Sequence, residues 1–375
     1  MTAVPSQTQP PQVDSEASAR ITLLRFLLIV GVVFIHGYDT KVTVAGELLG
    51  ASSPGGIATF IRDLISQGIA RTAVPLFYLL SGYFFFWNFT WSVGRYIAKL
   101  RSRVHTLLIP FLCWNGLNLI FLLIAQNTAL TKPFFSGANQ PILEYSLYDY
   151  ANQLIGLESF PIAYPFWFIR DLMVVVLFAP LVDVALKSAP RTILALLFGL
   201  WYFNQWLGYI PSVGAVTFFY AGAYLAMKGR DLFSLDPYGQ KSLIAYAFVL
   251  TADTLTKHAA WSDYLNRGSI LLGMVAVLFL TRSLVRSPRI HASLLWASSG
   301  SFFVFAIHEP LLRILRILRK VSYELIKPTS ELSILVLYFV IPTLVIGLSL
   351  LIFKFLQSVT PRLLRIVTGG RTIRK

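Results

Sequence analysis

Apolar stretches long enough to cross a lipid bilayer recur along the chain from Ile21 to Leu356, separated by shorter segments where Lys, Arg, Gly, Pro and Asn gather. A hydrocarbon core of about 30 Å takes roughly 20 helical residues. By that measure the pattern predicts ten helices, near residues 21–38, 68–90, 104–125, 165–186, 190–209, 212–227, 241–256, 268–285, 294–312 and 331–356. The Tyr209-Ile210-Pro211 break separates the fifth from the sixth, and the seventh is the most polar. The expected fold class is all-α: a polytopic membrane protein, a bundle of about ten transmembrane helices. No repeat and no inverted pair of broken helices is visible, which weakens a secondary-transporter reading.

Composition agrees. Of 375 residues, 56% are hydrophobic and 13% charged, with a mean hydropathy of +0.66, whereas soluble chains carry about a quarter charged residues. The formal charge of +15 raises nucleic acid as a partner, but the Lys and Arg residues lie between apolar runs rather than on one basic face, so no nucleic acid is expected. With the N-terminus inside, nineteen of them fall in cytoplasmic segments and eleven in external ones. That bias predicts both termini in the cytoplasm.

The division that follows is a polar, disordered cytoplasmic tail over 1–20, a membrane domain over 21–356 and a basic cytoplasmic tail over 357–375, with the Gly369-Gly370 end expected to be mobile. No small-residue cleavage signature follows the first apolar segment, so it reads as a retained helix. Cys113 is the single cysteine, which leaves no intramolecular disulfide and makes a cysteine-based metal site unexpected. The segment from Gln126 to Tyr164 is long enough to predict either a functional loop or a helix lying in the interface. Arg313, Arg316, Arg319 and Lys320 share one helical face. They either snorkel to lipid headgroups or attract an anionic glycan or lipid pyrophosphate.

Charged groups within membrane segments cost about 2.5–3.5 kcal/mol each on insertion scales, so each is a functional candidate. The first helix carries Arg25 and His36. Eleven residues turn about 1100°, so both face one side, about 16.5 Å apart along the axis. An arginine holds phosphates in a bidentate fork, and a neutral imidazole takes a proton from a hydroxyl near pH 7. A carrier with phosphates at one end and a reactive acyl group at the other, such as coenzyme A, fits this stripe. The alternative is a snorkelling arginine and a histidine that caps a helix end.

Asp39 follows three positions later, where it either orients the imidazole or is an ordinary loop carboxylate. Trp167-Phe168-Ile169-Arg170-Asp171 opens the fourth helix, where Arg170 either stabilises an oxyanion or pairs internally with Asp171. His308-Glu309-Pro310 lies in an apolar run whose proline is expected to kink the helix and shape a cavity. Walker, zincin, nucleophile-elbow and Rossmann signatures are absent from the sequence.

These motifs resemble the acyltransferase-3 family of membrane O-acyltransferases. The likeness rests on the Arg25-to-His36 spacing and on Val74-Pro-Leu-Phe-Tyr-Leu-Leu-Ser81-Gly82-Tyr83, similar to the family's Ser-Gly-Phe signature. It rests also on the basic turn from Lys99 to Pro110, where Thr106 stands in place of a second arginine, and on the Phe166-Trp167-Phe168 and Phe302-to-His308 segments.

The resemblance implies a bundle of ten helices in the bacterial inner membrane that moves an acetyl group from acetyl-CoA to a sugar hydroxyl of a surface polysaccharide, exopolysaccharide or lipid-linked glycan. His36 is then the catalytic base, with Asp39, Arg170 and Glu309 as further catalytic candidates. Arg25, Arg101, Arg103 and Ser81 are donor-binding candidates, and Trp167, Asp171 and His308 acceptor-binding ones. No metal is expected; the bilayer, the glycan acceptor and polysaccharide export or assembly proteins are the expected partners. A glycolipid flippase and an acyltransferase using another donor, such as succinyl-CoA, are the alternatives.

Overall fold

In lipid, backbone N–H and C=O groups must be satisfied within the protein, which makes helices of apolar runs. The computed structural model describes residues 15–44, 47–53, 55–129, 131–132, 140–206, 208–325 and 330–371, with the side chains of residues 15, 42–49 and 316–325 left undescribed. Helix α1 (Ser15–His36) begins ahead of the first apolar run. Its Arg20 is buried and held by Asp236 at 2.6 Å, by Thr281 Oγ1 and by the Leu278 carbonyl, so the expected boundary at residue 20 falls inside a packed helix. The remainder of the expected N-terminal tail, 1–14, lies outside the described residues.

A short antiparallel hairpin, β1 (Val42–Val44) with β2 (Glu47–Leu49), follows α1. Helix α2 (Ile57–Arg62) runs through a π turn (Asp63–Gly68) and a 3-10 turn (Ile69–Thr72) into α3 (Ala73–Phe86). Likewise α4 (Val93–Arg103) continues through a π turn (Val104–Leu108) into α5 (Ile109–Asn127). The long connection after α5 holds α6 (Leu147–Ile155), whose start is fixed by reciprocal Ser146 and Asp149 hydrogen bonds. Then come α7 (Trp167–Leu177), α8 (Ala179–Ser188), α9 (Pro190–Tyr202), α10 (Val213–Met227), α11 (Gly239–Leu255) and α12 (Ser262–Arg286). The chain closes with α13 (Pro288–Ser299), α14 (Ser301–Leu325), α15 (Glu331–Val359) and α16 (Pro361–Val367).

Helix α1 packs against α12, α13, α14 and the 3-10 turn. Its neighbour α3 meets α10 backbone to backbone: a Cβ at Gly82 would collide with the Phe219 carbonyl, and one at Gly222 with the Leu79 carbonyl. Small residues at a crossing are how membrane helices gain close van der Waals contact without a hydrophobic driving force. Around this crossing the core is aromatic, with Tyr78, Phe85, Phe86, Phe218 and Phe219 all buried.

The count of ten spans is not carried by the structure. Among the described residues five helical stretches are long and apolar enough to cross a membrane: Glu16–His36, Ile57–Phe86, Val93–Asn127, Ser262–Arg286 and Glu331–Val359. The α13–α14 pair, bent by 66° at Gly300, makes a sixth if it is one broken span. The other predicted segments are helical but short. Phe178, ahead of Pro180, splits the fourth into helices of 11 and 10 residues, and α9, α10 and α11 have 13, 15 and 17 residues. At 1.5 Å per residue, an 11-residue helix covers only about 17 Å of a core about 30 Å thick. The chain is nonetheless a multi-pass, helical membrane protein.

Candidate active site

Helices α1 and α3, the turn after α4, the start of α7 and the α13–α14 bend enclose a cavity of about 540 Å3. Arg25, His36, Arg71, Arg103 and Arg371 line it, and no Asp or Glu stands among the described lining residues. An apolar cavity with four guanidinium groups and no carboxylate is built for an anion.

The cations divide between two ends. Arg25 lies about 16.5 Å along α1 from His36, and Arg103 and Arg371 interact with it electrostatically. Arg371 is brought there by the C-terminal segment, its guanidinium 4.3 Å from the Phe302 ring centroid and its Nη1 donating to the Thr368 carbonyl at 3.3 Å. Burial, then the charges of Arg103 and Arg25, pushes Arg371 down to about 10. Three like charges held together in this way are relieved by a bound polyanion.

At the other end, the His36 ring stands 5.5 Å from Tyr164 and 5.1 Å from His308, centroid to centroid. Arg71 interacts electrostatically with the same Tyr164, and its Nε donates to Gln67 Oε1 at 3.0 Å. His308 is fully buried; its Nδ1 lies 2.6 Å from the Phe305 carbonyl, and its Nε2 has no hydrogen-bond partner. A carbonyl only accepts, so Nδ1 carries the proton and Nε2 the lone pair.

Of the residues singled out in the sequence, His36, Arg25, Arg103, Ser81 and Trp167 line the cavity together, and His308 backs His36. The others stand outside the lining. Asp39 is exposed, and its Oδ1 accepts from the Lys41 amide at 3.0 Å in the turn before β1. Arg101 is exposed on α4. Glu309 is paired with Arg313 Nε at 2.8 Å; the side chains of Arg316, Arg319 and Lys320, the rest of the expected basic face, lie outside the described residues.

Arg170 is buried among internal partners. Its Nη1 donates to the carbonyls of Gly156 and Ser159, while Nε and Nη2 donate to Asp171 Oδ1 at 3.1 Å. Asp171 in turn accepts from the Ser212 amide at 2.8 Å at the start of α10. This arrangement is the internal ion pair rather than the oxyanion site. It ties down residues 156–159, the approach to Tyr164.

Arg71, Tyr164 and Arg371 also line the cavity and were not singled out in the sequence. Arg71 carried a signal, since the second predicted helix began at residue 68 and so enclosed it. Tyr164 and Arg371 carried none, because their positions depend on a loop clamp and on a C-terminal turn.

A family profile described as an acyltransferase domain matches residues 18–353. The chain is 26% identical over 367 residues, covering 96% of its own length and 94% of the other, to the succinoglycan biosynthesis protein ExoH of Rhizobium meliloti (strain 1021). No solved structure matches the chain.

Proposed function

The chain belongs to the acyltransferase-3 family, and we propose from that premise that it transfers an acyl group from cytoplasmic acyl-CoA to a sugar hydroxyl of a polysaccharide or lipid-linked glycan, in the bacterial inner membrane with both termini cytoplasmic. The observation that supports this most is the two-ended cavity: Arg25 and Arg103 at one end, His36 at the other, and no carboxylate among the described lining residues. The phosphates of coenzyme A dock on the arginines, and the pantetheine arm runs along the apolar wall of α1 and α3 toward His36. The glycan acceptor follows from the relative named for succinoglycan biosynthesis.

In the reaction His36 takes the proton of the attacking hydroxyl. The sugar oxygen bonds to the thioester carbonyl carbon, the carbon–sulfur bond breaks, and the proton passes to the departing thiolate. Negative charge develops on the carbonyl oxygen beside His36, where Arg71 and the Tyr164 hydroxyl, rather than Arg170, stand ready to meet it.

Acetyl is the first reading of the donor. Arg71 favours a second, a donor whose acyl group ends in a carboxylate, such as succinyl-CoA, because a guanidinium at the reactive end holds a carboxylate bidentately. The test follows free coenzyme A released by purified protein in nanodiscs, with acetyl-CoA and succinyl-CoA, with and without lipid-linked glycan. Acceptor-dependent release that vanishes in His36→Ala, and weakens through donor affinity in Arg25→Ala, supports acyl transfer. Loss of succinyl but not acetyl turnover in Arg71→Gln selects the second reading. A folded protein that neither binds nor consumes any acyl-CoA removes the enzyme reading and leaves glycolipid flux to be assayed.

A further inference from the structure

The C-terminal segment is built to deliver one side chain. Leu364 and Val367 of α16 are buried, and Trp114 Nε1 on α5 donates to the Val367 carbonyl at 2.9 Å. Gly369 and Gly370 then turn the chain with φ of +61° and +77°, a conformation that L side chains rarely adopt. Gly369 passes so close to the π turn that an added Cβ would stand 2.6 Å from the Thr106 carbonyl oxygen. The turn ends with Arg371 in the cavity, over Phe302 and beside Arg25 and Arg103. Residue 371 lies beyond the 18–353 region that the family profile matches.

We propose that Arg371 is a donor-binding residue, and that the C-terminal turn is a strap that closes the arginine end of the cavity over the phosphates of the donor. This rests on the coenzyme A reading above. Thr106 stands where the family resemblance implies a second arginine, and the backbone of that same residue seats Gly369. The second fork therefore comes from the end of the chain. A polyanion bound between Arg25, Arg103 and Arg371 gains three guanidinium partners and relieves their mutual repulsion, whereas the phosphate-free pantetheine end gains nothing from Arg371.

The test is equilibrium binding of coenzyme A and of pantetheine to the full chain in nanodiscs. The proteins are wild type, Arg371→Gln, Gly369→Ala and Arg362→Gln, the last removing an exposed charge from α16. Loss of one charge-assisted contact predicts that Arg371→Gln weakens coenzyme A by about tenfold and leaves pantetheine unchanged. Gly369→Ala keeps every charge but strains the turn, so it shifts coenzyme A affinity the same way; Arg362→Gln behaves as wild type. If wild type prefers coenzyme A to pantetheine and Arg371→Gln binds both equally well as wild type, the strap is refuted and the donor reading stands. If folded wild type does not bind coenzyme A at all, the donor reading fails and the strap fails with it.

Discussion

Replacing Arg170 by Met separates a structural guanidinium from a catalytic one. The substitution keeps most of the apolar stem and removes the hydrogen bonds to Gly156, Ser159 and Asp171. It leaves the Asp171 carboxylate, 1% exposed, with the Ser212 amide as its remaining hydrogen-bond partner among the described residues. Breaking a buried pair by deleting one member costs about 3–5 kcal/mol, a large share of the roughly 5–15 kcal/mol that holds a domain folded. The expected outcome is a large drop in unfolding temperature in detergent, with turnover falling through a displaced Tyr164 loop. Asp171→Asn added to Arg170→Met removes the stranded charge and recovers part of the loss, so the two costs are not additive. An Arg170→Met protein that melts as wild type, binds donor as wild type and turns over a thousandfold more slowly would refute the argument and return Arg170 to the chemistry.

Two further perturbations probe the scaffold. Gly82→Val forces a side chain into the Phe219 carbonyl, so α3 and α10 must part and Ser81, on the same turn, leaves the cavity; loss of the folded protein on size-exclusion chromatography is expected, while Gly94→Ala, with open space around it, is neutral. Ser146 holds the Asp149 carboxyl below its ordinary value of 3.8, first through its hydroxyl and then through its backbone amide. A depressed acid lends stability in full above its unfolded value and loses it as pH falls through the folded one. Acidification below about pH 4 therefore lowers the amide-exchange protection factors of α6, measured against the intrinsic rate at each pH, before those of the membrane helices respond, and Asp149→Asn removes that dependence.

The legible part of the site is the part written on one helix. Arg25 and His36 are eleven residues apart on an uninterrupted helix, and helical period alone puts them on one face and on one cavity wall. Trp167 and Ser81 were legible as motif residues, and the structure gives Gly82 its reason in the crossing with α10. What sequence could not show is partner choice. Arg170 had two readings, and the carbonyls that decide between them lie 11 and 14 residues back in a loop. Arg371 reaches the cavity only because a tryptophan on α5, two consecutive glycines and the Thr106 backbone cooperate. The expected count of ten spans is not confirmed for a related reason. Hydropathy sees the apolar run from 165 to 186, but not that Phe178 ends one helix and Pro180 starts another.

His308 supplies the last test, because its present surroundings disfavour it. The imidazole is fully buried, donates through Nδ1 to Phe305 and leaves Nε2 unpartnered. An orphaned buried acceptor costs about 1–3 kcal/mol, roughly what the single Nδ1 bond returns. A phenylalanine fits a site already walled by aromatic rings and has no nitrogen to satisfy, so packing alone would prefer it. Retaining a histidine there makes sense if the Nε2 lone pair, 5.1 Å ring to ring from His36, positions His36 or the hydroxyl that His36 deprotonates. His308→Phe is accordingly expected to unfold no more easily than wild type, within about 1 kcal/mol, while acyl transfer falls at least tenfold and the acid limb of its pH–rate profile moves. Donor affinity stays unchanged, since the arginine end is untouched. A variant several kcal/mol less stable, with full turnover per folded molecule and an unmoved pH profile, would mean that His308 serves packing only and that His36 works without it.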